Sequence, residues 1–112
     1  MTETQSFGVV RDDGKIATVF AADYLNKLSG ESIERECRSK LEAGCTEIVV
    51  NFSQTEIVNS IGVSILLGVI DAAANRGARV TFSDVKPDTA ELFDLLGVTR
   101  HVDIATSEET GL

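Results

Sequence analysis

Glu47-Ile48-Val49-Val50-Asn51-Phe52, followed closely by Ile57-Val58-Asn59-Ser60-Ile61-Gly62-Val63, is where a buried strand gives way to an apolar helix, and the fold follows from that junction. The first run is almost continuously apolar, the pattern of a central strand covered on both faces. Ile57-Val58 reads as a short extension leading into Asn59-Ser60. From Ile61 to about Arg76 the chain is long enough for a helix, with apolar residues at 61, 63, 65, 66, 67, 69 and 70. Ser60 therefore stands at a strand-to-helix turn. A hydroxyl there is exposed beside free backbone N–H groups and the positive end of a helix dipole, a place that accommodates a phosphate. The plainer alternative is an ordinary N-cap serine.

Working outward, Phe7-Gly8-Val9-Val10 and Ile16-Ala17-Thr18-Val19-Phe20 are β-rich runs separated by Arg11-Asp12-Asp13-Gly14-Lys15, whose Asp-Gly pair signals a hairpin. Ser29 then reads as the N-cap of a helix from about Gly30 to Ala43, with Ile33, Cys37 and Leu41 as its apolar stripe and Gly44 ending it. Glu34–Arg38 and Glu36–Lys40 are spaced for support across one helical turn, on a face read as solvated surface. Ala78-Arg79-Val80-Thr81-Phe82 is a further strand, Pro87 opens a helix through Leu96 that Gly97 closes, and Val102-Asp103-Ile104 adds a last short strand. The order is hairpin, helix, strand, helix, strand, helix, strand. Strands joined through helices pair in parallel, which gathers the turns before the helices, Ser60 included, at one end of the sheet.

Composition narrows the function. A chain of 112 residues is about one domain. Its net charge of −8 argues against a nucleic-acid or anionic-membrane partner, since either needs clustered Lys and Arg. Met1-Thr2-Glu3-Thr4-Gln5 has neither a basic nor an apolar stretch, and no apolar run reaches the ~20 residues a bilayer span requires, so a cytoplasmic protein without membrane insertion is expected. Cys37 and Cys45 fit no metal motif or disulfide framework and are read as reduced packing residues. The sole histidine, His101, makes a poor ligand set alone, so no metal is expected. Asn51-Phe52-Ser53 matches the glycosylation triplet, a chance match in a cytoplasmic chain. With neither a Gly-x-Gly-x-x-Gly nor a Walker loop, no cofactor is indicated.

Along the helix after Ser60, Ser60, Ser64 and Gly68 recur every four residues, followed by Asp71 and Asn75, so small and polar side chains share one face. Such a face suits either tight packing on the protein's own sheet or close approach by a partner.

Asn51-Phe52-Ser53-Gln54-Thr55-Glu56-Ile57-Val58-Asn59-Ser60-Ile61-Gly62 resembles, without insertion, the signature of STAS domains, in particular the bacterial anti-sigma-factor antagonists. The likeness extends over nearly the whole chain, and Gly77-Ala78-Arg79-Val80 and Leu92-Phe93-Asp94-Leu95-Leu96-Gly97-Val98 are similar to the family's later strand and helix. It implies a single α/β STAS domain over residues 1–112, a mixed four- to five-stranded sheet opened by an N-terminal β-hairpin with helices mainly on one face, and a polar tail from about 105 to 112. It also implies a non-enzymatic switch. The unmodified antagonist binds an anti-sigma factor that is also a serine/threonine kinase and frees a sigma factor; phosphorylation at Ser60 breaks the complex, and a serine phosphatase resets it. Asn59, Ser60, Ile61, Gly62, Val63 and Ser64, with Tyr24 and Asn26 from the loop Asp23–Lys27, are the residues expected to meet the partner. The chain departs from the family pattern at Asn59, where many members carry an acidic residue, at Ile61, where many carry a second serine, and at Asn51, often Asp. A scaffold or adaptor role among other STAS proteins, with Ser60 never phosphorylated, fits the same signature. Two other classes share single features with it. An acyl-carrier protein is small, acidic and modified on a helix-start serine, but is a helical bundle. A serine hydrolase would need His101 beside Ser60.

Overall fold

The structure is a computed structural model and describes residues 10–11 and 14–106. Its sheet is built from β1 (Val10–Arg11), β2 (Gly14–Phe20), β4 (Cys45–Asn51), β6 (Arg79–Val85) and β7 (Asp103–Thr106), side by side in that order. β1 runs antiparallel to β2, with Val10 opposite Lys15 and Arg11 opposite Gly14, while β2, β4, β6 and β7 are parallel neighbours. The antiparallel opening pair is thus present; its expected residues Phe7–Val9, and the polar tail beyond Thr106, lie outside the described residues. The helices α1 (Lys27–Glu42), α2 (Ser60–Asn75) and α3 (Pro87–Leu95) each join one parallel strand to its next neighbour. A two-stranded parallel pair, β3 (Tyr24–Leu25) with β5 (Ile57–Val58), stands apart from the main sheet.

Alternation along the strands sets the layers. Val19, Ile48, Val50, Val80 and Phe82 point into the core, where they meet Ile33, Cys37 and Leu41 of α1 and Val63, Leu66, Val69 and Ile70 of α2. From α3, Phe93 stacks edge-on against Phe52 and lies 5.4 Å from both the Phe52 and Phe82 ring centres, so all three helices cover the same face. The other face is open. Thr18 and Phe20 are exposed and Val49 only half-buried, so the central strand is covered on one face rather than on both as its apolar run suggested.

Two further expectations change. α1 begins at Lys27 and is capped by Asn26, not Ser29. Asn26 Oδ1 accepts the Ser29 N–H at 3.0 Å and Ser29 Oγ accepts the Asn26 N–H at 3.0 Å, a reciprocal pair that starts the helix three residues early. The stretch Asp23–Lys27, read as a loop, contains β3, because its backbone finds Ile57 and Val58 as strand partners. The expected Glu34–Arg38 pair forms at 3.3 Å. At the helix ends, Gly44 and Gly97 take φ of 98° and 85°, the left-handed turn each was expected to supply.

Candidate functional site

Parallel connections gather the C-terminal ends of the strands and the N-terminal ends of the helices, and Ser60 lies at that end. Asn59 caps α2, accepting the Gly62 N–H on Oδ1 at 2.8 Å, so Ser60 is the first helical residue rather than the cap. That placement frees the Ser60 side chain. It is exposed, and its hydroxyl makes no hydrogen bond among the described residues.

The β3–β5 pair positions what surrounds it. Tyr24 lies opposite Ile57 in register, the Asn59 N–H donates to the Leu25 carbonyl at 2.9 Å, and Asn59 Nδ2 donates to the Tyr24 hydroxyl at 3.4 Å. Tyr24 and Asn59, distant in sequence, are therefore in contact. The exposed large apolar side chains at this end are Phe20, Tyr24, Leu28, Ile57 and Ile61, with Ile61 53% and Leu28 76% accessible, so both helix starts present bare hydrocarbon to solvent.

Of the residues assigned to the surface from sequence, Tyr24, Ser60, Ile61 and Ser64 are exposed and Asn59 is half-buried. Val63 is not part of that surface. It faces the core at 3% accessibility, because the fourth residue of the helix points back toward the sheet. Gly62 is also sealed: a Cβ there would sit 2.8 Å from Leu25 Cγ and 2.9 Å from its carbonyl oxygen, so glycine is what lets α2 approach β3. Asn26, half-buried, commits Oδ1 to the α1 cap, while its Nδ2 makes no hydrogen bond among the described residues. Leu28 and Ile57 were missed as surface residues: Leu28 stands between Lys27 and Ser29, where a single apolar residue carries no period, and Ile57 was read only as part of the strand extension Ile57-Val58.

The small-residue stripe faces outward. Ser60, Ser64, Gly68, Asp71 and Asn75 are all exposed, and a Cβ on Gly68 would meet nothing within 4 Å. Tight helix packing is done elsewhere, by Gly30 and Gly62, where a Cβ on Gly30 would come within 3.2 Å of Ile65.

Behind Ser60, the loop after β4 is held by polar contacts. Lys86 Nζ donates to the Ser53 and Thr55 carbonyls at 3.3 and 3.1 Å and pairs with Glu56 at 2.9 Å, while the buried Thr55 hydroxyl donates to the Ala22 carbonyl at 2.7 Å. Asn51 Nδ2 donates to Asp84 Oδ2 at 2.9 Å and Oδ1 accepts the Ser53 N–H at 2.8 Å. An aspartate at 51 would place two carboxylates in contact, which gives a local reason for the amide.

Other chemistries find no support. His101 follows a short 3-10 turn (Val98–Arg100) before β7 and lines a cavity with Ile70 and Ala74, which lie about 15 and 21 Å along α2 from Ser60 at ~1.5 Å per residue. It is thus no base for that hydroxyl. The parallel sheet is incompatible with an acyl-carrier bundle. Burial, reinforced by Glu36, pushes the Cys37 thiol up to about 12, so it stays protonated and unreactive at neutral pH. No group of three or more potential metal-ligating side chains occurs among the described residues, nor any helix long and apolar enough to cross a membrane.

Comparison with known proteins gives the same architecture. A family model described as the STAS domain matches residues 1–111. A putative anti-sigma factor antagonist from Thermotoga maritima superimposes with a TM-score of 0.70 at 17% identity, covering 91% of this chain and 87% of the other. The anti-sigma factor antagonist SpoIIAA in its unphosphorylated form gives 0.67 at 22% identity, over 85% and 84%. The Bacillus cell fate determinant SpoIIAA in the phosphorylated form gives 0.62 at 21% identity, over 85% and 86%. At these identities the likeness to the solved structures is one of fold.

Proposed function

Because the chain belongs to the STAS-domain family, we propose that it is an anti-sigma-factor antagonist that works by partner switching, with Ser60 as its phosphorylation site. The observation that carries this reading is the unpartnered Ser60 hydroxyl at the first position of α2, set among the exposed side chains of Tyr24, Ile57 and Ile61. A kinase needs a serine it can reach, and a protein partner needs apolar side chains it can bury. Both are offered at one end of the sheet. The unmodified form docks an anti-sigma serine/threonine kinase there and releases a sigma factor; a serine phosphatase returns the modified form to the unmodified one. The chain itself acts as substrate and switch, with no catalytic residue, no cofactor and no metal, in the cytoplasm.

Magnitudes support the switch. Full burial of an apolar side chain is worth ~1.5–3 kcal/mol, and Ile57 and Ile61 are 59% and 53% accessible, so covering both contributes roughly 1.5–3 kcal/mol in total toward the ~8 kcal/mol of a micromolar interface. A phosphate adds roughly −1.5 to −2 charges, which the N-terminus of α2 tolerates and an apposed partner does not. Weakening binding a thousandfold takes about 4 kcal/mol, more than one like-charge contact in water provides, so phosphate bulk against the apolar rim contributes.

The deciding experiment is capture from native lysate with Ser60→Ala and Ser60→Asp baits, together with phosphopeptide mass spectrometry of the wild-type chain. Retention of a kinase of the anti-sigma type by the alanine form alone, with phosphate found on Ser60, is the expected result. Equal retention by both baits and no phosphate on Ser60 would sink it. The second reading, an unphosphorylated adaptor among other STAS proteins, rests on Asn59, whose amide caps α2 and contacts Tyr24 where many family members present a carboxylate.

A further inference from the structure

At the end of the molecule opposite Ser60, a cavity of about 390 Å³ opens between the C-terminal half of α2, the start of β6 and the segment Thr99–Asp103. Its volume falls within the ~300–1,000 Å³ span of small-molecule sites. Ile70, Val80 and Val102 form its apolar floor; they belong to the core yet keep 9%, 5% and 8% accessibility, so the opening reaches down to core side chains. Its rim carries Arg79, Arg100 and His101.

Among the described residues Lys27, Arg38 and Lys86 form ion pairs, whereas Arg79 and Arg100, like Arg35, Lys40 and Arg76, form none; Arg79 and Arg100 also make no side-chain hydrogen bond, and they are the two that share this cavity. Nearby carboxylates are engaged or set apart. Asp94 accepts the Thr99 hydroxyl at 2.9 Å, Glu47, beside Arg79 in the sheet, accepts the Thr81 hydroxyl at 3.4 Å, and Asp103 on the rim pairs with neither arginine. Two unpaired guanidiniums beside an apolar floor form a local positive spot on a chain of net charge −8. Guanidinium is the side chain best matched to carboxylate and phosphate oxygens.

We propose that this cavity binds a small organic anion, a phosphate monoester or carboxylate on an apolar body, with Arg79 and Arg100 holding the anionic head and Ile70, Val80 and Val102 covering the body. The site is separate from the Ser60 surface and does not depend on the partner-switching reading. Loss of a guanidinium weakens head-group binding; filling the floor excludes the body.

The test is an amide NMR titration of the full chain with phenyl phosphate, with inorganic phosphate and phenol as the separate halves of the probe. Saturable shifts at residues 78–80 and 99–103, with none at 59–64, are expected from phenyl phosphate, and weaker or no response from either half. Arg79→Gln combined with Arg100→Gln should raise the dissociation constant about tenfold or more, equivalent to ~1.4 kcal/mol or more. Ala74→Leu, which keeps the charge and narrows the cavity, should also weaken binding. Absence of saturable shifts at about 10 mM probe, where only binding weaker than ~3 kcal/mol escapes notice, overturns the proposal. So does equal binding of inorganic phosphate, or unchanged affinity in both variants with native spectra.

Discussion

α1 and α2 start on the same plan and diverge in where the serine sits, third in α1 and first in α2. Each grows out of one strand of the β3–β5 pair, Tyr24-Leu25 leading to Asn26 and Ile57-Val58 leading to Asn59, and in each an asparagine is the cap. Each shows a bare aliphatic side chain at its second position, Leu28 and Ile61. The third position differs. In α1 it is Ser29, whose hydroxyl accepts the Asn26 N–H and donates to the Tyr24 carbonyl at 2.7 Å. In α2 it is Gly62, which returns no hydrogen bond but lets the helix close onto Leu25. The first start is thus locked by its serine, while the second is locked by a backbone contact and leaves its own serine, Ser60, unused. A hydroxyl that fold stability does not need is one that a modification can take without unfolding the domain.

That contrast is tested hardest at Gly62. Gly62→Ala forces its methyl onto the Leu25 backbone, and a loss of about 1–3 kcal/mol is expected in urea unfolding, with amide shifts at Tyr24 and Asn59. A neutral result would mean that α2 is not held by close approach. Next come the caps: Asn26→Ala removes one cap bond but leaves the Ser29 hydroxyl on the residue-26 N–H, whereas Asn59→Ala removes the sole side-chain bond that caps α2 together with the Tyr24 contact, so each should cost ~1 kcal/mol with Asn59→Ala the costlier, and a smaller loss at Asn59 would show that the backbone contact alone holds α2. Gly68→Ala, on the open stripe of α2, should gain roughly 0.5–1 kcal/mol, since its methyl meets nothing. Smallest is Ser60→Ala, expected within ~0.5 kcal/mol of wild type by thermal unfolding, whereas Ser29→Ala loses hydrogen bonds that Ser60→Ala does not. Comparable losses for the two serines would show that Ser60 is structural.

Much of the architecture was legible because hydrophobic period reports which face is buried. The runs at Ile16–Phe20, Glu47–Phe52 and Ala78–Phe82 gave three of the strands, and glycine at 44 and 97 marked two helix ends correctly. The helix starts were less legible. Asn and Ser are both good caps, and which of Asn26 and Ser29, or of Asn59 and Ser60, takes the role depends on where the preceding strand delivers the backbone. The Asn26-x-x-Ser29 spacing was a usable capping-box signal. Val63 was drawn into the surface because nearness to Ser60 in sequence was read as nearness on the surface, whereas helical geometry turns the fourth residue inward.

By itself, the sequence determined the alternation of strands and helices, the acidic character, the STAS signature and the location of Ser60 at a strand-to-helix turn, since each follows from local pattern. Only the tertiary structure decided that Tyr24 meets Asn59, that β3 is a strand, that the stripe beginning at Ser60 faces solvent, and that Arg79 and Arg100 border one cavity. The physical reason is range: hydrophobic period and capping preference act over a few neighbouring residues, while a two-residue strand, a sealed glycine or an unpaired arginine is defined by what distant parts of the chain bring against it.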